Sequence, residues 1–303
     1  MKFTSLLRAA QQAVYSQYRL LLWRLNGMLR QSALISTSQG KFKVVFLKKE
    51  SIGRSLYVSG QYEMDLISGV LNFLRDSERL PMAGGILLDV GANNGVISIG
   101  LLRMGKFERA IAFEPAPENF SLLEYNVALN GLKDRFLCLP YAVADAPSEL
   151  RFELSADNYG DHRVRAANMG NGLQNESKRR EIIVKAQTLD ALLSSAPAAF
   201  SKPASLVWLD VQGYEGYVFK GGRKLFGSGV PVVAEIWPYG IQRAGMTAPQ
   251  FCEIAASLWT HYWIRRRGKF IQYPIETLGA VFEELGFDGA YDNLIFMGNV
   301  HAA

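Results

Sequence analysis

Ile86-Leu-Leu-Asp-Val-Gly-Ala-Asn-Asn-Gly95 is the stretch whose reading decides the fold. Apolar residues surround Asp89, the chain then breaks at Gly91 and Gly95, and a second apolar run follows from Val96 to Leu102. A short continuous apolar run bounded by glycine reads as a strand buried on both faces of a parallel sheet. Val96, Ile99 and Leu102 then fall at helical spacing, so strand passes directly into helix. Gly91 lets the backbone turn tightly, and Gly95 lets the start of the helix pack close to the sheet. Such a helix start leaves amide hydrogens free for a ligand. The plain alternative is a tight turn with no ligand.

The letters favour one class of ligand. Asn93 stands where a dinucleotide fingerprint would carry its middle glycine, the residue that admits a pyrophosphate. A carboxylate at the strand end, Asp89, instead suits S-adenosylmethionine, which carries a sulfonium and an ammonium. Nineteen residues beyond Gly95, the strand Ala110–Phe113 ends in Glu114-Pro115. An acidic residue at this distance, closing the second strand, is placed to accept hydrogen bonds from two ribose hydroxyls. Alone it would read as a solvated loop charge; the two features together argue against chance.

Asp89-Val-Gly-Ala-Asn-Asn-Gly95, Phe113-Glu-Pro-Ala-Pro-Glu-Asn-Phe120 and Asn126-Val-Ala-Leu-Asn130-Gly resemble the FkbM family of S-adenosylmethionine-dependent methyltransferases. Val184-Lys-Ala-Gln-Thr-Leu-Asp190, Leu209-Asp-Val-Gln-Gly-Tyr-Glu215 and Phe219-Lys-Gly-Gly222 extend the likeness, in order, over roughly Tyr62 to Trp237. The resemblance implies an α/β, Rossmann-like class I methyltransferase sheet, mostly parallel with its last strand antiparallel. It implies cofactor contacts from Asp89, Gly91, Ala92, Asn93, Gly95, Glu114, Pro115, Ala142, Asp145 and Asp210. The loop from Tyr141 to Asp145 would cover the adenine, with Asp145 equally readable as a turn residue. The helix near Tyr62 and Glu63 would approach the cofactor. Methylation would fall on an oxygen, commonly a hydroxyl of a sugar, glycan or natural product. Family members usually carry Glu where this chain has Gln212, so no metal is expected there.

At 303 residues and 49% hydrophobic content, the chain suits one large α/β domain with an addition. Residues 1–40 read as a helical arm and linker. Residues 41–303 read as the methyltransferase domain, with a hairpin and helix over 41–80 and the Rossmann-like core over 81–303. Cys138 and Cys252 lack metal spacing and read as buried free thiols of a reducing, cytoplasmic compartment. No run approaches the 18 apolar residues of a membrane span. The net charge of +5 is unevenly placed: residues 1–49 hold nine basic and no acidic side chains, and the remaining 254 hold 24 basic and 28 acidic ones. The body is mildly acidic, which gives no warrant for a nucleic-acid partner.

Residues 1–30 show helical periodicity, with Phe3, Leu7, Ala10, Val14, Tyr18, Leu21, Leu25 and Met28 on one stripe and Trp23 to one side. Such a basic, acid-free helix can pack on its own domain or a dimer mate, lie on an anionic inner membrane surface, or serve as a transit peptide. Gln31–Gly40 reads as a linker, Phe42–Leu47 and Ser55–Ser59 as strands of a hairpin, and Tyr62–Arg75 as a helix. A helix over Pro117–Asn130, a strand over Phe136–Leu139 and an edge strand over Leu150–Leu154 follow. The polar stretch 155–180, with Asn158, His162, Arg163 and Arg165, reads either as an acceptor-binding loop or as a solvated insertion. Strands are expected over Glu181–Ala186, Leu206–Leu209, Val230–Ile236 and Asp292–Met297, the last antiparallel. Helices are expected over Pro249–Trp259 and Glu276–Leu285, with a basic turn at Arg265–Lys269.

Open α/β sheets bind ligands at the carboxyl ends of their strands, so Asp89, Glu114 and Asp210 should converge on one crevice. Methyl transfer to an oxygen is helped chiefly by positioning and by a group that takes the proton. Asp210 is the first choice, followed by Glu215, Glu235 and His162. A nicotinamide-dependent oxidoreductase is the rival enzyme, but the middle glycine and a Tyr-x-x-x-Lys proton donor are missing. A non-catalytic binding protein on a degenerate methyltransferase fold is the third reading, against which the three carboxylates weigh.

Overall fold

A computed structural model describes residues 2–29, 32–37, 41–47, 51–156, 158–165, 176 and 179–298. The chain opens with helix α1 (Lys2–Leu29), strands β1 (Ser32–Ser36) and β2 (Lys43–Leu47), and helices α2 (Ser51–Ser59) and α3 (Met64–Asp76). The stretch that decides the fold is β3 (Ile86–Val90) running into α4 (Val96–Arg103). β4 (Arg109–Phe113), α5 (Pro117–Leu129) and β5 (Phe136–Leu139) complete the first half of the sheet. A small four-stranded sheet follows, of β6 (Ala142–Val143), β7 (Ser148–Leu154), β8 (Arg163–Val164) and β9 (Arg180–Gln187). The second half comprises α6 (Leu189–Ser194), β10 (Ala204–Leu209), α7 (Glu215–Gly221), α8 (Arg223–Phe226), β11 (Val232–Ile236) and α9 (Pro238–Arg243). α10 (Ala248–Ala256), β12 (His261–Arg266), β13 (Lys269–Pro274), α11 (Leu278–Leu285) and β14 (Asp292–Phe296) close the described chain.

The central sheet has eight strands in the order β13-β12-β14-β11-β10-β3-β4-β5. β5, β4, β3, β10 and β11 are parallel, and β14 enters antiparallel between β11 and β12. This is the Rossmann-like, mostly parallel sheet with an antiparallel last strand that the sequence implies. Alternation along each strand sorts the core into two layers. Ile86, Leu88, Val90, Ile111, Phe113, Val207, Leu209, Val232, Ala234 and Ile236 pack on one face against α6, α7, α10 and α11. Leu87, Ala110, Ala112, Leu206, Trp208 and Val233 pack on the other, against α3, α4, α5 and the β1–β2 ribbon. Both faces are covered, which is why β3 is apolar except for Asp89 and is buried throughout.

The exposed backbone of β2 is satisfied by two side-chain amides, one in α5 and one just past its end. Asn126 accepts from Val45 N at 2.8 Å and donates to Asn94 O at 3.0 Å, while Asn130 accepts from Lys43 N at 3.0 Å. Asn126 thereby ties the ribbon edge to the turn after β3, giving a physical reason for asparagine at that place in the motif.

Three expectations are corrected, and the expected basic turn takes a definite place. Ser32–Ser36 is a strand, paired antiparallel with β2, not linker. Ser55–Ser59 belongs to helix α2, because Ile52 and Leu56 are buried one turn apart and Gly53 sits against the Phe46 ring, where a Cβ would come within 2.7 Å. Leu150–Leu154 lies in β7, inside the small sheet between β9 and β8, not on its edge. The basic turn at Arg265–Lys269 is the tip of the β12–β13 hairpin, with Arg267 and Gly268 at φ 51° and 81°. Of the stretch 155–180, residues 157, 166–175, 177 and 178 lie outside the described residues.

Candidate functional site

The carboxyl ends of β3, β4, β10 and β11 open onto one cavity of about 610 Å³. Asp89, Gly91, Ala92, Asn93, Glu114, Pro115, Ala142, His162, Asp210 and Glu235 all line it. Gly95, Asp145 and Glu215 do not. The sheet therefore brings together most of the residues singled out in the sequence, and the exceptions have physical reasons.

The turn after β3 is shaped by its neighbours in the chain. Gly91 has φ 88°, and a Cβ there would stand 1.8 Å from the Asp210 carbonyl oxygen. The glycine is required because the end of β10 presses on the end of β3, where Asp210 N donates to Val90 O at 3.0 Å. Gly95, at φ 84°, faces away from the cavity, and a Cβ would meet Leu123 Cδ1 at 2.7 Å. It lets α4 start against α5. Between them, Asn93 holds the left-handed conformation at φ 51°.

Asp89 is almost wholly buried beside Ser98, and burial, with the nearby Asp210 charge, pushes its carboxyl up to about 6 against hydrogen bonding from the Ser98 hydroxyl and amide. A buried carboxylate at a cavity wall is stabilised in its charged form by a donor or a cation from a ligand. Glu114 accepts from Asn93 N at 2.9 Å through Oε2 and from Ala116 N at 2.8 Å through Oε1. Each oxygen keeps a lone pair for a ligand, and burial raises the group to about 7 despite those two amides. Besides reaching into the cavity, Glu114 clamps the turns after β3 and β4 together.

At the end of β10, Gln212 Nε2 donates to Asp210 Oδ1 at 2.6 Å and to Glu235 Oε1 at 3.1 Å. The neutral amide bridges two carboxylates that would otherwise repel. Burial raises both acids, Glu235 well above the usual carboxylate range, and the charges of Asp210, Glu215 and Glu63 push Glu235 further. Among the described residues, no three His, Cys, Asp or Glu side chains group so as to hold a metal ion.

The other proton-accepting candidates separate by geometry. Glu215 is fully buried behind the cavity wall, where Oε1 accepts from Val211 N at 3.1 Å and Gly213 N at 3.2 Å. It closes its own loop and holds Gln212 in place, instead of facing a substrate. His162 lines the cavity, but its Nδ1 accepts from Ser155 N at 3.0 Å, and burial beside Arg179 and Arg180 lowers the ring to about 4. The ring is neutral with its proton on Nε2, so it faces the cavity as a donor. Asp145 pairs with Lys220 Nζ at 2.5 Å, in agreement with its turn reading.

Three side chains enter the site that the motifs alone did not fix. Glu63, at the start of α3, has φ 49° and lines the cavity with Tyr62; burial and Asp210 raise it to about 7. Burial also raises the Tyr62 hydroxyl, with Glu63 adding to the effect. Tyr291, just before β14, faces the same carboxylates. Glu63, Asn93 and Gln212 are thus three non-glycine residues with positive φ, from three separate segments, around one cavity. The resemblance already draws Tyr62 and Glu63 toward the cofactor, whereas nothing in the local sequence marks Tyr291, which reaches the site through tertiary packing.

Part of the polar stretch 155–180 is neither solvated nor loose. Arg163 is buried and meets Glu153, Asp161 and Glu176, with its guanidinium 5.2 Å from the centre of the Trp237 ring. Arg179 pairs with Asp161, and Tyr239 donates to Glu176 Oε1 at 2.8 Å. This network ties the small sheet to β11 and α9, and it sets His162, Arg179 and Trp237 along the cavity.

Comparison with known proteins bears on the same region. The model of the methyltransferase FkbM domain matches residues 89–261, which contain the end of β3 from Asp89, together with Glu114, Asp210, Glu235 and β11. No match to a curated protein is found. Among solved structures, a methyltransferase FkbM from Methylobacillus flagellatus KT aligns at 14% identity and TM-score 0.43, covering 80% of this chain and 52% of that one. The chain thus spans about half the length of that protein. Precorrin-6y C5,15-methyltransferase from Geobacter metallireducens GS-15 aligns at 10% identity and TM-score 0.41, covering 88% and 98%. Since the family model covers more than half of the sequence, together with the turn and the carboxylates described above, the chain belongs to the FkbM methyltransferase family.

Proposed function

We propose that the chain transfers a methyl group from S-adenosylmethionine to a hydroxyl of a sugar, glycan or other natural product. The observation that carries the reading is the convergence of Asp89, Glu114, Asp210 and Glu235 on one cavity. A sulfonium and an ammonium are cations, and a wall of carboxylates stabilises them while Glu114 remains free to accept from ribose hydroxyls. When bound, the cofactor supplies an electrophilic methyl. An acceptor hydroxyl would take that methyl, the C–S electron pair remaining on sulfur, while this chain's residues hold the oxygen and receive its proton. The hydroxyl proton would pass to Asp210, whose Oδ1 is held in place by Gln212 Nε2. A carboxylate raised towards neutrality is better matched to a hydroxyl proton than an ordinary surface acid. His162, as a neutral donor, would orient the acceptor.

The cofactor is tested by calorimetric titration of S-adenosylmethionine and, separately, of NAD into the purified protein. The acceptor is tested by incubating the protein and S-adenosylmethionine with cell extract, then searching by mass spectrometry for products one methylene heavier. Saturable binding of S-adenosylmethionine but not NAD, with hydroxylated products gaining a methyl, is the expected outcome. Binding of NAD alone overturns the proposal.

A further inference from the structure

The helix α1 meets the rest of the chain with the side that lacks the apolar stripe. Trp23 packs on Tyr57 of α2 with ring centroids 5.3 Å apart. Arg19 donates through Nη2 and Nε to the Tyr57 carbonyl at 2.6 and 2.9 Å and lies 4.2 Å from the centre of the Tyr57 ring. Ser16, Arg19, Leu20 and Trp23 are half-buried on this side. The stripe is turned the other way. Val14, Tyr18, Leu21 and Leu25 are 71, 56, 54 and 44% exposed, and Tyr15 beside them is 50% exposed. Their spacing of four, three and four residues places them in one row about 16 Å long. The sequence continues the row upstream with Phe3, Leu7 and Ala10, whose side chains lie outside the described residues.

An outward apolar row on a helix anchored by its opposite side needs a partner. Charge selects its kind. Besides Arg19, which is held on the anchored side, the helix carries Lys2, Arg8 and Arg24 and no acidic residue, and the first acidic residue of the chain is Glu50. Two copies meeting through this row would oppose like charges with no carboxylate on the helix to neutralise them. An anionic surface meets the same charges favourably, and tyrosine and arginine suit the boundary between lipid headgroup and acyl chain. No described helix is long and apolar enough to cross a membrane, so the geometry is that of lying on the surface. We infer that α1 is a peripheral membrane helix that lays the Val14–Tyr18–Leu21–Leu25 row on an anionic lipid surface. The mildly acidic catalytic body, which would be repelled from such a surface by itself, is carried there by the helix.

The test is sedimentation of the full chain with vesicles of phosphatidylcholine alone and of equal parts phosphatidylcholine and phosphatidylglycerol. The wild-type protein should sediment with the anionic vesicles at low salt, dissociate at high salt, and ignore the neutral ones. Leu21→Glu/Leu25→Glu should reduce vesicle partitioning at least tenfold while melting at the wild-type temperature, since both side chains face solvent. Arg24→Glu, which leaves the apolar row intact, should weaken anionic binding in the same direction and serves if the double variant does not fold. Equal partitioning of wild type and variants overturns the inference, as does failure of the wild-type protein to bind anionic vesicles. A lipid-free dimer that becomes monomeric in the double variant also overturns it and makes the row a contact between two copies.

Discussion

Gln212 Nε2 stands 2.6 Å from Asp210 Oδ1, and the same nitrogen reaches Glu235 Oε1 at 3.1 Å. One neutral amide holds two carboxylates side by side where a cation or a shared proton would otherwise be needed. Gln212→Glu therefore puts three acids in contact. Turnover should fall on the order of tenfold or more near neutrality, with the acid limb of the pH–rate profile moving upward, because repulsion leaves the base protonated. In the wild-type protein the amide does the bridging, so activity should be unchanged by EDTA; loss of activity on chelation would assign the bridge to a metal ion.

Asp210→Asn tests the base directly. The side chain keeps its shape but accepts no proton, so turnover should drop ~10²-fold or more while cofactor affinity stays within about tenfold. An unaltered pH–rate profile would pass the role to Glu235 or Glu63, which face the same cavity.

Replacement of Glu114 acts twice. Glu114→Ala should weaken S-adenosylmethionine binding by roughly 1.5–3 kcal/mol through lost charge-assisted bonds to the ribose. It should also lower the melting temperature, because Asn93 N and Ala116 N lose their acceptor. A dissociation constant within twofold of wild type, measured by calorimetry, would remove Glu114 from the cofactor site.

Gly91 carries a different constraint from the one its place in the motif suggests. The motif reading has a side chain there filling space that the ligand needs, with the fold intact. Any Cβ at this position would stand 1.8 Å from the Asp210 carbonyl oxygen, which makes the substitution a matter of folding as well. Even Gly91→Ala should destabilise by more than about 1 kcal/mol, since neither φ nor space is available. Chemical denaturation measures it, and a variant as stable as wild type would show that β3 and β10 can part at this point.

The buried acids set the pH dependence of the cofactor-free protein. Glu63 and Glu114 are raised to about 7, Asp89 to about 6 and Glu215 to about 8, mainly by burial. The folded state binds more protons than the unfolded one between the ordinary carboxylate range and these values, so stability falls as pH rises through that window. His162, lowered to about 4, acts in the opposite sense below about 6.5, but it is one group against four. Thermal melts should give a higher midpoint near pH 6 than near pH 8, and S-adenosylmethionine should raise the midpoint more at the higher pH, where its positive charges meet ionised carboxylates. A midpoint rising steadily over this range would contradict the burial of these acids without cations.

The sheet was legible because its evidence is local. The apolar runs of β3, β4, β10 and β11, with acids at or just past their ends, carry both the strand order at the cavity and the positions of Asp89, Glu114, Asp210 and Glu235. What the sequence left open depends on distant contacts. Ser55-Leu-Tyr-Val-Ser59 alternates like a strand, but Leu56 and Ile52 are held in a helix by Phe46 and its ribbon, and Tyr57 serves α1. β1 shows one buried residue, Ile35, and is defined by its partner strand more than by its own letters. Glu215 looked like a rim carboxylate because its position in the motif says where its backbone lies; only the Val211 and Gly213 amides say which way its side chain turns. His162 was readable as a residue near the site, whereas its donor role follows from the Ser155 amide.

Glu63, Asn93 and Gln212 share a further consequence. A left-handed conformation costs a non-glycine residue on the order of 1–2 kcal/mol, and glycine at the same place relieves it. A search for heat-resistant variants of this enzyme would therefore be drawn to the three positions that surround its cavity, and each glycine it accepted would delete a side chain that lines it. Thermal selection and catalytic selection pull in opposite directions at these three joints of the backbone.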